Sequence, residues 1–110
     1  MGKLSSKLRS IDHGGKAIGF WCPGCDGLHV MRIEEPHPCW TWNGDVDKPT
    51  LSPSLLVTYQ DLSGEGQHER CHSFVRDGNI EFLGDCTHKL AGQTVSIPDW
   101  PYAEGEYGGV

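Results

Sequence analysis

Four cysteines at two kinds of spacing carry the clearest chemistry in this sequence. Cys22 and Cys25 form a C-x-x-C pair in the run C-P-G-C, and a tight turn of this kind can hold one metal ion. Cys71 and Cys86 flank a segment of alternating polar and apolar residues. Four thiolates make a tetrahedral zinc site, so the pattern predicts Zn2+ bound by these cysteines. His29 is a spare ligand or, as we expect, a half-buried, hydrogen-bonded histidine near the metal.

A predicted hairpin brings Cys71 and Cys86 together. The dipeptide Asp77-Gly78 suits a type I′ turn, which needs positive φ at both central positions. This turn pairs Val75 with Ile80 and defines a central hairpin over residues 71–86, with its two cysteines diagonal to one another at the open end. His88 points to the same side if the strand continues, which makes it the alternate fourth ligand.

The composition indicates a turn-rich β protein. With 15 glycines, 7 prolines and 36% hydrophobic residues in 110, the chain suits one small domain. We expect a mainly β fold, a small antiparallel β-meander or zinc-ribbon-like domain, with at most one or two short helical turns. Five cysteines without a secretory signal favour metal binding in a reducing cytosol over disulfides, although a disulfide stays an alternative and Cys39 is left over.

Charge and composition divide the chain into three predicted regions. Residues 1–16 form a basic N-terminal arm, 17–98 the zinc-binding β domain and 99–110 an irregular C-terminal tail. The net charge of −6 resides in the acidic body, which makes nucleic-acid binding an unlikely function. The chain has no apolar run long enough to span a membrane.

Aromatic residues supply the candidate protein-binding surfaces. Two tryptophans alternate on one predicted strand and face one way, and further aromatic residues lie in the C-terminal tail. Their commonest role is packing, and a ligand platform is the alternative. The candidates are Trp40, Trp42, Trp100 and Tyr102.

Several motifs together resemble a known family. They are C-P-x-C at 22–25, W-N-G-D at 42–45, P-T-x-S-P-S at 49–54, C-H-S-F at 71–74 and D-C-T-H-x-L-A-G-Q-T-V at 85–95. In this order they are similar to a family of small uncharacterised proteins encoded by tailed bacteriophages and prophages. The resemblance implies a phage protein in the cytoplasm of the infected bacterial host or in the virion, with zinc held by the four cysteines.

Three functions follow, in order of preference. The first is a zinc-stabilised β-module that binds a phage or host protein, because four thiolates leave no open metal position. The alternative is a zinc hydrolase with an open site, for which His72, Asp85 and His88 are the catalytic candidates. His72 lies on the opposite strand face from Cys71, which counts against it. A nucleic-acid-binding zinc ribbon is the second alternative. The chain lacks G-x-S-x-G and H-E-x-x-H, so a non-catalytic role is favoured over an enzyme.

Overall fold

The computed structural model describes residues 1–12, 15–35, 37–60 and 68–109. These residues form two antiparallel sheets and no helix, which confirms the mainly β prediction. The first sheet has the order β1-β2-β3-β4, with β1 Gly2–Lys3, β2 Arg9–Asp12, β3 Lys16–Cys22 and β4 Gly27–Arg32. The second has the order β5-β6-β7-β8-β9, with β5 Thr41–Trp42, β6 Leu51–Gln60, β7 His68–Arg76, β8 Asn79–Phe82 and β9 Thr94–Ser96.

The N-terminal residues belong to the first sheet and do not form a free basic arm. Strand β2 pairs with β3 along its whole length, and the side chains of Leu8 and Arg9 are buried. The Arg9 guanidinium lies 4.9 Å from the centre of the Trp100 ring and donates a hydrogen bond to the Gly108 carbonyl. The C-terminal tail therefore packs against the N-terminal strands, and residues at both ends of the chain complete the domain.

The central hairpin has the predicted turn and register. Asp77 and Gly78 have φ values of 50° and 77°, the left-handed conformation that a type I′ turn requires. Val75 pairs with Ile80, as predicted. Strand β8 ends at Phe82, so the first half of β7 extends beyond its partner on that side.

The core lies between the two sheets. One face of each sheet is apolar and the two faces pack together, as in other layered β domains. The buried cluster contains Leu8, Ile18, Phe20 and Met31 from the first sheet and Leu51, Leu55, Val75, Ile80 and Phe82 from the second. Cys22 and Cys71 lie in the same cluster, so one edge of the core is made of thiols.

Candidate functional site: a Cys/His metal centre and a Ser-His-Asp group

Three cysteines and one histidine meet where the two sheets join. Their ligand atoms, from Cys22, Cys25, Cys71 and His88, all lie within 4.8 Å of one another. Cys22 is the last residue of β3 and Cys25 lies in the turn that leads to β4, so the tight C-x-x-C loop brings the two thiols together. Cys71 comes from β7 and His88 from the segment after β8. The group could hold a metal ion that links the first sheet to the second.

The spacing of these atoms fits a tetrahedral ion. The Cys22 and Cys71 sulfurs are 3.9 Å apart, and the His88 Nε2 lies 3.4 Å from the Cys71 sulfur. A zinc tetrahedron with Zn–S bonds of about 2.3 Å and a Zn–N bond of about 2.0 Å separates two sulfurs by about 3.8 Å, and sulfur from nitrogen by about 3.5 Å. All the cysteines are free thiols, so no disulfide competes for these ligands.

Two further observations fit a bound cation. Hydrogen bonding with the thiols of Cys22 and Cys25 raises the pKa of Cys71, and burial and repulsion from the charge on those thiols raise it further. A divalent cation would remove this repulsion. In addition, Gly24 lies so close to the His88 imidazole that a Cβ atom at this position would overlap the ring. The turn between the two cysteines thus leaves room for His88.

Cys86 is not a member of this group, which corrects its assignment as the fourth ligand. Its sulfur accepts a hydrogen bond from the His72 N–H at 3.2 Å and donates one to the His72 carbonyl at 3.2 Å. The chain turns after β8, so the diagonal convergence expected of a regular hairpin does not occur. His88, the alternate ligand, is the fourth member of the group that could hold a metal ion.

His29 lies next to the metal group, as expected. It is 6% exposed, its ring packs edge-on against Phe20, and its Nε2 has no hydrogen-bond partner. Burial lowers the pKa of His29, but hydrogen bonding and charge from Cys22 and Cys25 raise it more, to about 9. The imidazole thus lies beside two sulfurs of the group.

A second polar group lies on the opposite face of β7. The Ser54 Oγ is 3.2 Å from the His72 Nε2, and the His72 Nδ1 is 3.2 Å from an oxygen of Asp85. The tautomer with a proton on Nδ1 satisfies both contacts, since Nδ1–H donates to Asp85 and Nε2 accepts from the Ser54 hydroxyl. This is the order of groups in a Ser-His-Asp triad.

Strands β6 and β7 position the serine beside the histidine. The ladder between them is irregular from Leu51 to Leu55, where β6 has two more residues than β7 between consecutive pairs. Such a bulge redirects side chains and is common beside active sites. Ser54 lies inside this bulge, directly after Pro53, and its carbonyl accepts a hydrogen bond from the Trp40 Nε1 at 3.3 Å.

The segment after β8 positions the carboxylate. Residues 83–88 bind the exposed backbone edge of β7 much as a strand would: Leu83 N–H donates to the His72 carbonyl at 2.9 Å and Thr87 N–H donates to the Arg70 carbonyl at 2.9 Å. Asp85 lies between these attachment points, and the Arg70 guanidinium is 3.8 Å from its carboxylate. Of the hydrolase candidates, His72 and Asp85 therefore join Ser54, whereas His88 joins the metal group.

The aromatic candidates for partner binding do not form one surface. Trp40 and Trp42 line an open groove of about 490 Å3 together with Cys39 and Pro53. Trp100 is 7% exposed and packs edge-on against Trp21, so it is part of the interior. Tyr102 is 38% exposed.

One family model matches most of the chain. It covers residues 3–83 and is described as the bacterial ubiquitination-like system serine protease, BubE. The chain therefore belongs to the BubE family. The matched segment contains Ser54, His72 and three ligand cysteines, and Asp85 and His88 follow it directly. No curated protein and no solved structure matches the chain.

Sequence reasoning missed Ser54, although it named the other two members of the group. A triad is defined by geometry and not by chain position, and Ser54 lacks the G-x-S-x-G context of one common hydrolase class. The signal that could have revealed it is the conjunction of P-S at 53–54, directly before a β-rich run, with C-H-S-F at 71–74 on the predicted hairpin.

No residue of the described part lies in a helix long and apolar enough to cross a membrane.

Proposed function

We propose that this protein is a serine peptidase of a bacterial ubiquitination-like system, with Ser54, His72 and Asp85 as its catalytic triad. The observation that carries the proposal is the continuous chain of contacts Ser54–His72–Asp85, each 3.2 Å long. The family description independently supports serine-protease chemistry. The substrate we propose is a peptide or isopeptide bond at the carboxyl end of a ubiquitin-like protein.

The geometry supports the two halves of acyl transfer. The His72 Nε2 accepts the Ser54 proton as Oγ attacks the scissile carbonyl, and then delivers that proton to the leaving amine. In the second step, the His72 Nε2 takes a proton from the attacking water and returns it to the Ser54 Oγ as the acyl group leaves. Asp85 holds the imidazole tautomer and stabilises its cationic form. Contacts of 3.2 Å suit a site without substrate, since such bonds shorten when the complex forms.

The metal site has a structural role in this proposal. Three thiolates and one imidazole fill a tetrahedral shell, which leaves no position for a water or a substrate. We propose Zn2+ as the ion, because sulfur-rich tetrahedral sites favour it. An ion held by Cys22, Cys25, Cys71 and His88 would join the two sheets and fix His88, three residues beyond Asp85 in the chain. The open-site zinc hydrolase is thus replaced by a peptidase whose zinc lies outside the reaction.

A protein-binding role is retained in a specific form. The partner is the ubiquitin-like protein itself, bound as substrate, and this takes the place of a phage or host target. The phage or prophage origin stays a prediction. Folding on metal binding would supply part of the stability of this small domain.

A serine-directed probe tests the proposal. We expect a fluorophosphonate to label the purified protein at Ser54, with the adduct located by mass spectrometry of the digested chain. Labelling should disappear in Ser54→Ala and fall at least about 10³-fold in rate in His72→Ala. Ser96→Ala, which changes an exposed serine on β9, is the matched control. Wild-type labelling absent at Ser54, or unchanged in His72→Ala, would contradict the triad.

A further inference from the structure

Among the described residues, no strand pairs with one edge of β6 beyond Ser52. In the described part of the chain, β5 pairs with β6 at two positions, Thr41 with Ser52 and Trp42 with Leu51, and β7 covers the other edge of β6 as far as Gln60. Strand β6 therefore extends beyond β5 by eight residues, 53–60. Unpaired edges of this kind accept an added strand from another chain.

The direction of the free backbone groups can be read from two hydrogen bonds. The Thr50 carbonyl accepts from the Asn43 N–H, and the Ser54 carbonyl accepts from Trp40, so both point away from β7. Backbone groups alternate along a strand, so the N–H and C=O of Leu56 point the same way. Leu56 thus presents one donor and one acceptor to the free side of β6, two residues beyond the triad serine.

The side chain of Leu56 is an exposed apolar group on the same stretch of β6. It lies directly opposite His72 in the ladder and shares its strand face, yet it is 54% exposed. A large apolar side chain beside a polar site is normally covered in the functional complex. On the other side of Ser54, Trp40, Trp42 and Pro53 line the open groove described above.

We infer that an extended segment of the polypeptide substrate binds as an additional strand along β6. Leu56 contacts a substrate side chain on one side of the scissile bond. The Trp40–Trp42 groove contacts a substrate side chain on the other side of that bond. The inference rests on the proposed peptidase function and deepens it. Pro53 to Leu56 spans about 10 Å, the length of three extended residues. A substrate must therefore offer a flexible, extended stretch of about four residues, as a chain terminus or an unfolded tail does and a folded domain does not.

The test compares a minimal substrate with a long one. The minimal substrate is 4-nitrophenyl acetate, which reaches Ser54 without any strand. The long one is the internally quenched octapeptide that wild-type protein cleaves best from a mixed pool. We expect Leu56→Asp to lower kcat/KM for the octapeptide about tenfold relative to its effect on 4-nitrophenyl acetate, because it places a solvated charge on an apolar contact. Leu56→Met should restore the octapeptide rate.

The control and the contrary outcomes separate the two proposals. Ser96→Asp places the same charge on an exposed residue of β9, at the far edge of the sheet, and should leave both rates unchanged. Equal effects of Leu56→Asp on both substrates would overturn the strand-addition inference, as would hydrolysis of 4-nitrophenyl acetate without cleavage of any octapeptide. Wild-type protein inactive toward both substrates, and inert to fluorophosphonate, would instead overturn the peptidase proposal, and the inference with it.

A binding measurement gives a readout besides turnover. In 15N-labelled Ser54→Ala, which cannot cleave, titration with the same octapeptide should shift the backbone amide resonance of Leu56 and slow its hydrogen exchange. Amides of β8 and β9, at the far edge of the sheet, should not respond. Shifts confined to residues away from β6 would refute strand addition even if the octapeptide is a good substrate.

Discussion

Adjacent residues of β7, Cys71 and His72, belong to two sites that face opposite sides of the strand. Cys71 is 1% exposed and points into the metal group at the edge of the core. The His72 side chain is 26% exposed and meets Ser54 and Asp85 on the accessible face. One site is closed and rich in sulfur, and the other is open and made of oxygen and nitrogen.

The two sites also differ in what they connect. The metal group takes ligands from both sheets, whereas the triad is built on β6, β7 and the segment that follows β8. Loss of the metal group should therefore damage the fold, and loss of a triad side chain should damage only the chemistry. Residues 83–88 contribute to both sites, since they supply Asp85 to one and His88 to the other. In the proposed peptidase, a metal ion bound by Cys22, Cys25, Cys71 and His88 would influence the reaction through this segment without taking part in it.

Removal of a metal ligand should have the largest effect. We expect Cys71→Ser to lose its bound metal, unfold by circular dichroism and lose all serine labelling, because folding and metal binding are coupled in small closed sites. Chelation of wild-type protein should act in the same way and be reversed by Zn2+. Cys39→Ser, a cysteine outside the group, should keep one metal ion per chain by elemental analysis. A folded, labelled Cys71→Ser protein would remove the basis for a structural metal.

Neutralising the triad carboxylate should affect only the chemistry. We expect Asp85→Asn to lower kcat about 10³–10⁴-fold, because the amide cannot stabilise the imidazolium and favours the wrong tautomer. Its thermal midpoint and metal content should match those of the wild type, since the Asp85 side chain is 42% exposed. Asp99→Asn provides the exposed control. A fall in kcat of less than tenfold would show that Asp85 has no part in the reaction.

Variants of Cys86 test whether this residue binds the metal or positions His72. Its thiol bonds the N–H and the C=O of His72, so Cys86→Ala should lower kcat by up to about 10²-fold through a small displacement of the histidine, with KM little changed. Cys86→Ser keeps a donor and an acceptor and should recover most of the rate. Both variants should retain the metal. Metal loss in either one would restore Cys86 as a ligand.

Substitution of glycine by alanine in the metal-binding turn should give the smallest effect. In Gly24→Ala the new methyl group meets the His88 ring, and we expect metal affinity to fall about tenfold as that ligand is displaced. Gly84→Ala is the matched control, because a Cβ there meets no atom within 4 Å. Affinities are measured by competition with a chromogenic chelator. Equal affinities for the two variants would place His88 outside the metal shell.

The sequence by itself determined the local features. Asp77-Gly78 specified a type I′ hairpin because few residues tolerate positive φ twice in succession, and the Val75–Ile80 register followed. The C-P-G-C run specified a tight turn that brings two thiols together, since Cys22 and Cys25 lie within four residues of sequence. The class of fold followed from turn-forming residues throughout the chain. Each of these features depends on interactions between near neighbours.

Only the tertiary structure decided which distant residues meet. Ser54 reaches His72 through a bulge that no alternation pattern reveals, and the chain beyond Phe82 leaves the hairpin to run along β7. That path turns Cys86 toward the His72 backbone and carries His88 to the metal group, whereas a regular strand would have placed both on one face. The difference arises because register shifts and loop paths are set by packing over the whole domain, which neighbouring residues do not encode.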